Sequence, residues 1–353
     1  MALGFLLSGC DSNSRVLRIY TWFEYTAPEM ITAFERKYNC SVQISTFDTN
    51  EDMIAKLRET GSGDYDIIVP SSYFIRQMIK EGMIVPIDHT KCSSVKRNFD
   101  RDCLYAVPED GELRYGIPYA IASSGLLYAT NRIPDGVAVN TWSLLGNPAF
   151  KGRVTLLDDM REVIGAALMY LGHSVNSMDE REINAAAEQV LKWVPNVNHW
   201  ATEDYKMDIQ SGQSWLGLAY GPNSLQLILG DGQTPPRSDI AIVHPKEGFV
   251  TSCEVMVISS GCRDMDLAYA FIDFLYSSPE EVRKNMKYIY CAMPVVSALQ
   301  GLDPEFRKLV ELSPEERENT QILKGFDDRL EVQALLRACL GAHCKGALRW
   351  RVG

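Results

Sequence analysis

The sequence predicts an α/β protein built as two lobes, and three observations point there. Short apolar runs of strand length alternate with amphipathic stretches of helical period along most of the chain. At 353 residues, the chain is longer than one hydrophobic core usually serves. With 46% hydrophobic and 23% charged residues, it has the material for such cores and lacks the composition of a disordered chain.

In chain order, Val16 to Tyr20 reads as a strand, and Pro28 opens a helix on which Met30, Ile31, Phe34 and Tyr38 recur at helical spacing. A second helix follows Thr49-Asn50 and stops at Gly61. Asp66 to Val69 is a short buried strand, and Ser72 to Glu81 a helix, so the order is β-α-β-α with right-handed crossovers. Further strands are expected at 153–157, 214–219, 240–243 and 254–258, with helices near 160–171, 180–192 and 223–229. The stretch from 264 to 340 reads as mostly helical, and the charge run Pro314-Glu315-Glu316-Arg317-Glu318 as a solvated helix start.

The formal charge of −11 argues against a nucleic-acid binder, whose affinity comes largely from Lys and Arg neutralising phosphates. It suits plain solubility or a cationic ligand. Met1 to Cys10 form an apolar stretch ending in Leu7-Ser8-Gly9-Cys10, which resembles the lipobox of bacterial lipoproteins, where the cysteine carries lipid. On that reading 1–14 are a signal remnant and tether, and Cys10 anchors the chain on the periplasm-facing side of the inner membrane. No later run approaches the roughly 18 apolar residues of a spanning helix. Of the other cysteines, Cys92 with Cys103 and Cys339 with Cys344 are close enough in sequence to pair, and several could equally be buried thiols. Cys339-x3-His343-Cys344 lacks a second half of ligands, so no metal is expected.

Enzyme signatures are missing. There is no phosphate-binding G-x-x-x-x-G-K-[ST], no H-E-x-x-H and no G-x-G-x-x-G after the first strand. Gly212-x-Ser214-x-x-Gly217 misses nucleophile-elbow spacing by one residue, and the five histidines show no spacing for metal ligation or base catalysis. No catalysis and no cofactor are therefore expected.

Aromatic and acidic residues instead gather at strand ends. Tyr20-Thr21-Trp22-Phe23-Glu24-Tyr25 follows the first strand, Pro70-Ser71-Ser72-Tyr73 the second, and Asp158-Asp159-Met160-Arg161-Glu162 the strand ending at Leu157. Ligands of α/β sheets bind outside the carboxyl ends of strands. Rings with carboxylates suit a flexible organic cation, since ring faces attract ammonium groups and cover methylenes.

These segments, with Asn50-Glu51-Asp52-Met53-Ile54-Ala55-Lys56-Leu57, Glu81-Gly82-Met83-Ile84 and Pro245-Lys246-Glu247-Gly248, give the chain a specific resemblance. Over about residues 16 to 330 it resembles the spermidine/putrescine receptors of bacterial polyamine ABC transporters. The resemblance implies the bilobal type II periplasmic-binding-protein fold, two α/β lobes joined by a hinge with the ligand cleft between them. The lobes would be 15–121 plus 254–296 and 122–253 plus 297–353. It also implies aromatic walls at Trp22, Tyr25, Tyr73 and Tyr220, ammonium-binding acids at Glu24, Asp159, Glu162 and Glu254, and polar contacts at Ser71, Thr202 and Tyr290. Asp327 or Asp328 falls where a polar side chain closes the pocket, Asp328 being preferred. Phe23 stands where the family has a small hydroxyl residue, and Ser252 where it commonly has a stacking Trp, so putrescine is expected over spermidine. Implied partners are an ABC permease and its ATPase. The alternatives are a ferric-ion receptor recruiting Tyr25, Tyr73 and Tyr220, a hydrolase with Ser71 as nucleophile, for which no activating base is in evidence, and a sensory receptor with the same site.

Overall fold

A computed structural model describes residues 15–325, apart from 109, 202, 203, 231 and 233. Cys10, Asp327, Asp328 and the Cys339–Cys344 cluster lie outside the described residues, as does Thr202. Among those described are the strands β1 (Arg15–Trp22), β2 (Cys40–Phe47), β3 (Ile67–Ile68), β4 (Ile84–Val85), β5 (Gly116–Ala129), β6 (Val154–Leu156), β7 (Val197–Trp200), β8 (Leu216–Tyr220), β9 (Ile240–Val243), β10 (Phe249–Ser259) and β11 (Thr320–Ile322).

The strands follow one curled path, β2-β1-β3-β10-β5-β8-β6-β7, with β4 and β11 paired to β10 and β9 to β5. At one end β1 pairs in parallel with β2 and β3. At the other, β6 pairs in parallel with β7 and β8. The antiparallel pair β5 and β10 joins the two parallel ends. At 14 residues, β5 is long enough, at about 3.3 Å per residue, to run from one end into the other. Its first half pairs with β10 and its second with β8 and β9.

Two separate hydrophobic cores match this division. The first holds Leu17 to Ile121 and Cys253 to Leu302, among them Phe34, Met53, Ile68 and Phe271. The second holds Leu126 to Val250 with Leu323, and is built around Trp142, Trp193, Phe150 and Tyr205. The chain thus passes between cores at 121–126 on β5 and at 250–253 on β10. It passes a third time between Val310, which packs on the first core, and Leu312, which packs on the second. The sequence reading put everything after 296 in the second lobe. Ala298, Leu299 and Leu302 belong to the first core instead, because the short helix Val296–Leu299 packs beside Pro279–Ile289.

The helix starts follow their sequence signals. Pro28 is at the first position of Pro28–Tyr38, which buries Met30 and Phe34. Thr49 caps Asn50–Thr60 by accepting from the Asp52 N–H at 3.0 Å, and Gly61, at φ 73°, ends it. Thr49→Ala should cost about 1 kcal/mol of stability in urea denaturation; an unchanged midpoint would mean the cap is replaced by water.

Two long strands, β5 and β2, have no counterpart in the sequence reading. β5 was not expected, because Pro118 and the run Ser123-Ser124-Gly125 break its apolar pattern. Pro118 is accommodated at an irregularity in the β5–β10 register, opposite Val255. At Gly125 a Cβ would come within 2.8 Å of the Val243 carbonyl, so the closeness of β9 explains that glycine. β2 was missed because, as an edge strand, it buries only Phe47 and lacks an apolar face. Of the two alternatives open for Cys92 and Cys103, the structure has buried thiols, hydrogen-bonded separately to the Asp88 carbonyl and the Asp100 carboxylate.

Candidate ligand-binding site

The residues singled out at strand ends assemble where the two cores meet. β1 ends at Trp22, whose ring lies 4.6 Å from Phe47. The chain then turns through Glu24 at φ 49° before Tyr25. That turn leaves Phe23 68% exposed and Glu24 exposed, both outside the cores. Tyr25 points inward, and its hydroxyl donates to Glu254 Oε2 at 3.0 Å.

Glu254 lies on β10 beside the register irregularity and is buried. A break of this kind re-aims a side chain that regular pairing would direct elsewhere. Its Oε1 accepts from Ser71 Oγ and Ser252 Oγ, each at 3.3 Å. Burial pushes the Glu254 carboxyl up to about 7, against the downward pull of the Tyr25, Ser252 and Ser71 hydroxyls. Asn50 fixes this side: its amide donates to Ser71 Oγ at 3.1 Å and to Tyr73 Oη at 3.2 Å, while its Oδ1 accepts from the Ser71 N–H.

On the second core, Asp159 caps the helix Met160–Tyr170, accepting from the N–H groups of Arg161 and Glu162. Its other oxygen accepts from the Tyr220 hydroxyl at 2.9 Å. Glu162, on the first turn, is buried and accepts from Ser124 Oγ at 2.6 Å. Burial first, then the neighbouring Asp159 charge, pushes the Glu162 carboxyl up to about 8, which Ser124 and Arg161 oppose.

The two halves touch here. Tyr73 packs against both cores, and the Arg161 guanidinium sits 5.8 Å above its ring. Glu51, next to Asn50, has its carboxyl pushed up by desolvation and by the Asp159 charge, so acids of both halves act on one another. Desolvation lowers Arg161, while Tyr73, Asp159, Glu162 and Glu51 favour its charged form. Tyr290, at φ 53° after the helix Pro279–Ile289, donates to the Gly230 carbonyl of the other half at 2.6 Å.

The structure thus joins Tyr25, Ser71 and Glu254 in one cluster and Asp159, Tyr220 and Glu162 in another, with Tyr73 between them. Asn50, Glu51, Ser124 and Arg161 were missed as site residues. Glu51 and Arg161 stand inside segments already marked by acids and rings, and that adjacency was their signal. Nothing in sequence ties Ser124 to Glu162. Chemically, carboxyls buried among hydroxyls are groups whose ionised form a cation would stabilise, and tyrosine and tryptophan rings supply faces for its carbons. Among the described residues, no group of three or more His, Cys, Asp or Glu could hold a metal ion.

Comparisons with known proteins agree with this architecture. Residues 29–313 match the family model of the bacterial extracellular solute-binding proteins. The spermidine/putrescine-binding periplasmic protein of Escherichia coli is 32% identical over 305 residues, 86% of this chain and 84% of that protein. A solved putative spermidine/putrescine ABC transporter protein of Listeria monocytogenes superposes with a TM-score of 0.82 at 27% identity, covering 92% of this chain and 99% of that one. A lipoprotein of Treponema pallidum gives a TM-score of 0.81 at 27% identity, covering 93% and 98%. The two cores are the lobes of the bilobal fold those structures share, and the chain belongs to the bacterial extracellular solute-binding protein family.

Proposed function

We propose that this chain is a receptor for a linear polyamine, that it closes its two lobes on the ligand, delivers it to an ABC permease with its ATPase, and catalyses nothing. The observation that carries the reading is the pair of buried carboxylates, Glu254 on the first core and Glu162 on the second, each hydrogen-bonded to hydroxyls. A ligand with an ammonium group near each end meets both and so bridges the lobes. At about 4 Å each ion pair contributes roughly 4 kcal/mol at an effective dielectric of 20, before desolvation costs. The spermidine and putrescine for which the Escherichia coli relative is named support the same class.

In this reading Trp22, Tyr25, Tyr73 and Tyr220 are the walls, and Glu24, Asp159, Glu162 and Glu254 the ammonium partners. Ser71, Thr202, Tyr290 and Asp328 complete the polar rim, and Phe23 covers the mouth. Ser252 supports putrescine over spermidine, because it donates to Glu254 and offers no ring for a third amine's carbons. The lobes are 15–121 with 254–310 and 122–253 with 311–325. Lipid on Cys10 holds the receptor at the periplasmic face of the inner membrane, which the lipobox and the Treponema pallidum lipoprotein support. A ferric site is disfavoured, since the hydroxyls of Tyr25 and Tyr220 donate to carboxylates and burial pushes Tyr25, Tyr73 and Tyr220 away from the phenolate form.

Thermal unfolding with putrescine, spermidine and glutamate tests the class. A ligand at 100 times its Kd adds about 2.7 kcal/mol to stability, so a polyamine should raise the melting temperature and glutamate should not. A shift with glutamate alone would reject the cationic ligand.

A further inference from the structure

β5 and β10 carry the chain between the cores, and neighbouring side chains on each do different work, because strand side chains alternate between faces. On β5, Ser124 donates to Glu162 at 2.6 Å, while Ser123 Oγ lies 2.8 Å from His244 Nε2. On β10, Ser252 donates to Glu254 at 3.3 Å, while Thr251 Oγ1 lies 2.6 Å from Thr320 Oγ1. One side chain of each pair therefore holds a buried carboxylate of the cleft, and its neighbour ties back towards the third passage of the chain.

His244 gathers these ties. Its Nδ1 lies 2.6 Å from Glu316 Oε1, and its ring stacks on Phe249 with centroids 3.9 Å apart and planes 10° apart. Glu316 is fixed in turn by the capping box of the helix Pro314–Asn319, where its Oε2 accepts from the Ser313 N–H at 2.8 Å. The run 314–318 is thus no merely solvated helix start. One imidazole touches β5 at the first passage, the opening residue of β10 beside the second, and the helix that follows the third. A neutral ring satisfies both bonds, with Nδ1–H donating to the carboxylate and Nε2 accepting from the serine hydroxyl. A small cavity bordered by Tyr105, Ser123, Thr251, Leu312 and Arg317 lies beside the crossing strands.

We propose that His244 is a positioning residue for ligand binding, which holds the three passages in the arrangement where the lobes touch and so sets the affinity without touching the ligand. This rests on the reading that the ligand is bound by lobe closure. The relay coexists with the contacts across the cleft, Arg161 over Tyr73 and Tyr290 to Gly230. Removing it releases the hinge towards the open form, and a ligand that needs the closed form then binds more weakly.

The test uses the full chain with His244→Ala, His244→Gln, Glu316→Gln and the His244→Ala/Glu316→Gln double variant. Calorimetry with putrescine is expected to show affinity reduced roughly tenfold for His244→Ala, within the usual range of coupling between sites. His244→Gln should recover part of the loss, and the double variant should be no weaker than His244→Ala, since the two residues act as one unit. X-ray scattering of ligand-free His244→Ala should give a larger radius of gyration than wild type. A folded His244→Ala with wild-type affinity and radius overturns the proposal. If His244→Ala does not fold, Glu316→Gln carries the same comparison. If wild type binds no polyamine, the functional reading falls separately, and an unchanged radius in the folded variant still sinks the hinge role.

Discussion

Glu254→Gln should weaken ligand binding by about 2–5 kcal/mol, because it takes the charge from a buried position that an ammonium group would share. The amide keeps the volume, its oxygen can still accept from the Ser71 and Ser252 hydroxyls and its NH2 can donate to the Tyr25 oxygen, so the fold should be retained. Most of the loss should appear in the dissociation rate, as for other buried, hydrogen-bonded charges. Affinity within twofold of wild type, in a variant with an unaltered circular dichroism spectrum, would mean that Glu254 is a structural carboxylate behind the cleft wall.

The second large effect is on pH. Burial holds Glu254 at about 7 and Glu162 at about 8 without ligand, so near neutrality both are substantially protonated. A bound ammonium favours the carboxylate form, so binding must expel those protons. Affinity should therefore fall by roughly two to three orders of magnitude between about pH 8 and pH 6. Calorimetry in buffers of different ionisation heat should detect proton release on binding near neutral pH. Stability of the empty protein runs the other way. A carboxyl whose folded pKa is raised adds stability that is fully present below its unfolded value, about 4.5, and lost as pH rises through 7 to 8. Acidification to about pH 5 should thus stabilise the empty receptor while weakening its grip on ligand. A flat affinity with no proton release would show that both carboxylates are already ionised.

What could be read from the sequence was local. The strand at Val16 to Tyr20 and the helices opened by Pro28, Thr49 and Asp159 combine an apolar period with a cap or proline inside a dozen residues. The rings and acids after β1, β3 and β6 were visible because each group is contiguous, and a parallel sheet brings strand ends together. Glu254 was found only through family resemblance. Its neighbours Cys253 and Val255 are core residues, and its aim depends on pairing irregularity with β5, a strand whose own pattern is broken by Pro118. Ser124 to Glu162 and His244 to Glu316 span 38 and 72 residues, and such contacts are products of topology that no window of sequence contains. The boundary near 296 failed for a related reason: a helical stretch reads alike whichever core it packs on.

The central claim is that acids and rings of both lobes enclose a small polyamine. Isothermal titration of the purified chain with Cys10 removed, unfolded and refolded to strip carried-over ligand, tests it most directly. Submicromolar binding of putrescine, weaker binding of spermidine and none of an amino acid is the predicted result. A refolded protein that ignores both polyamines would contradict the account and assign the buried carboxylates to a different ligand.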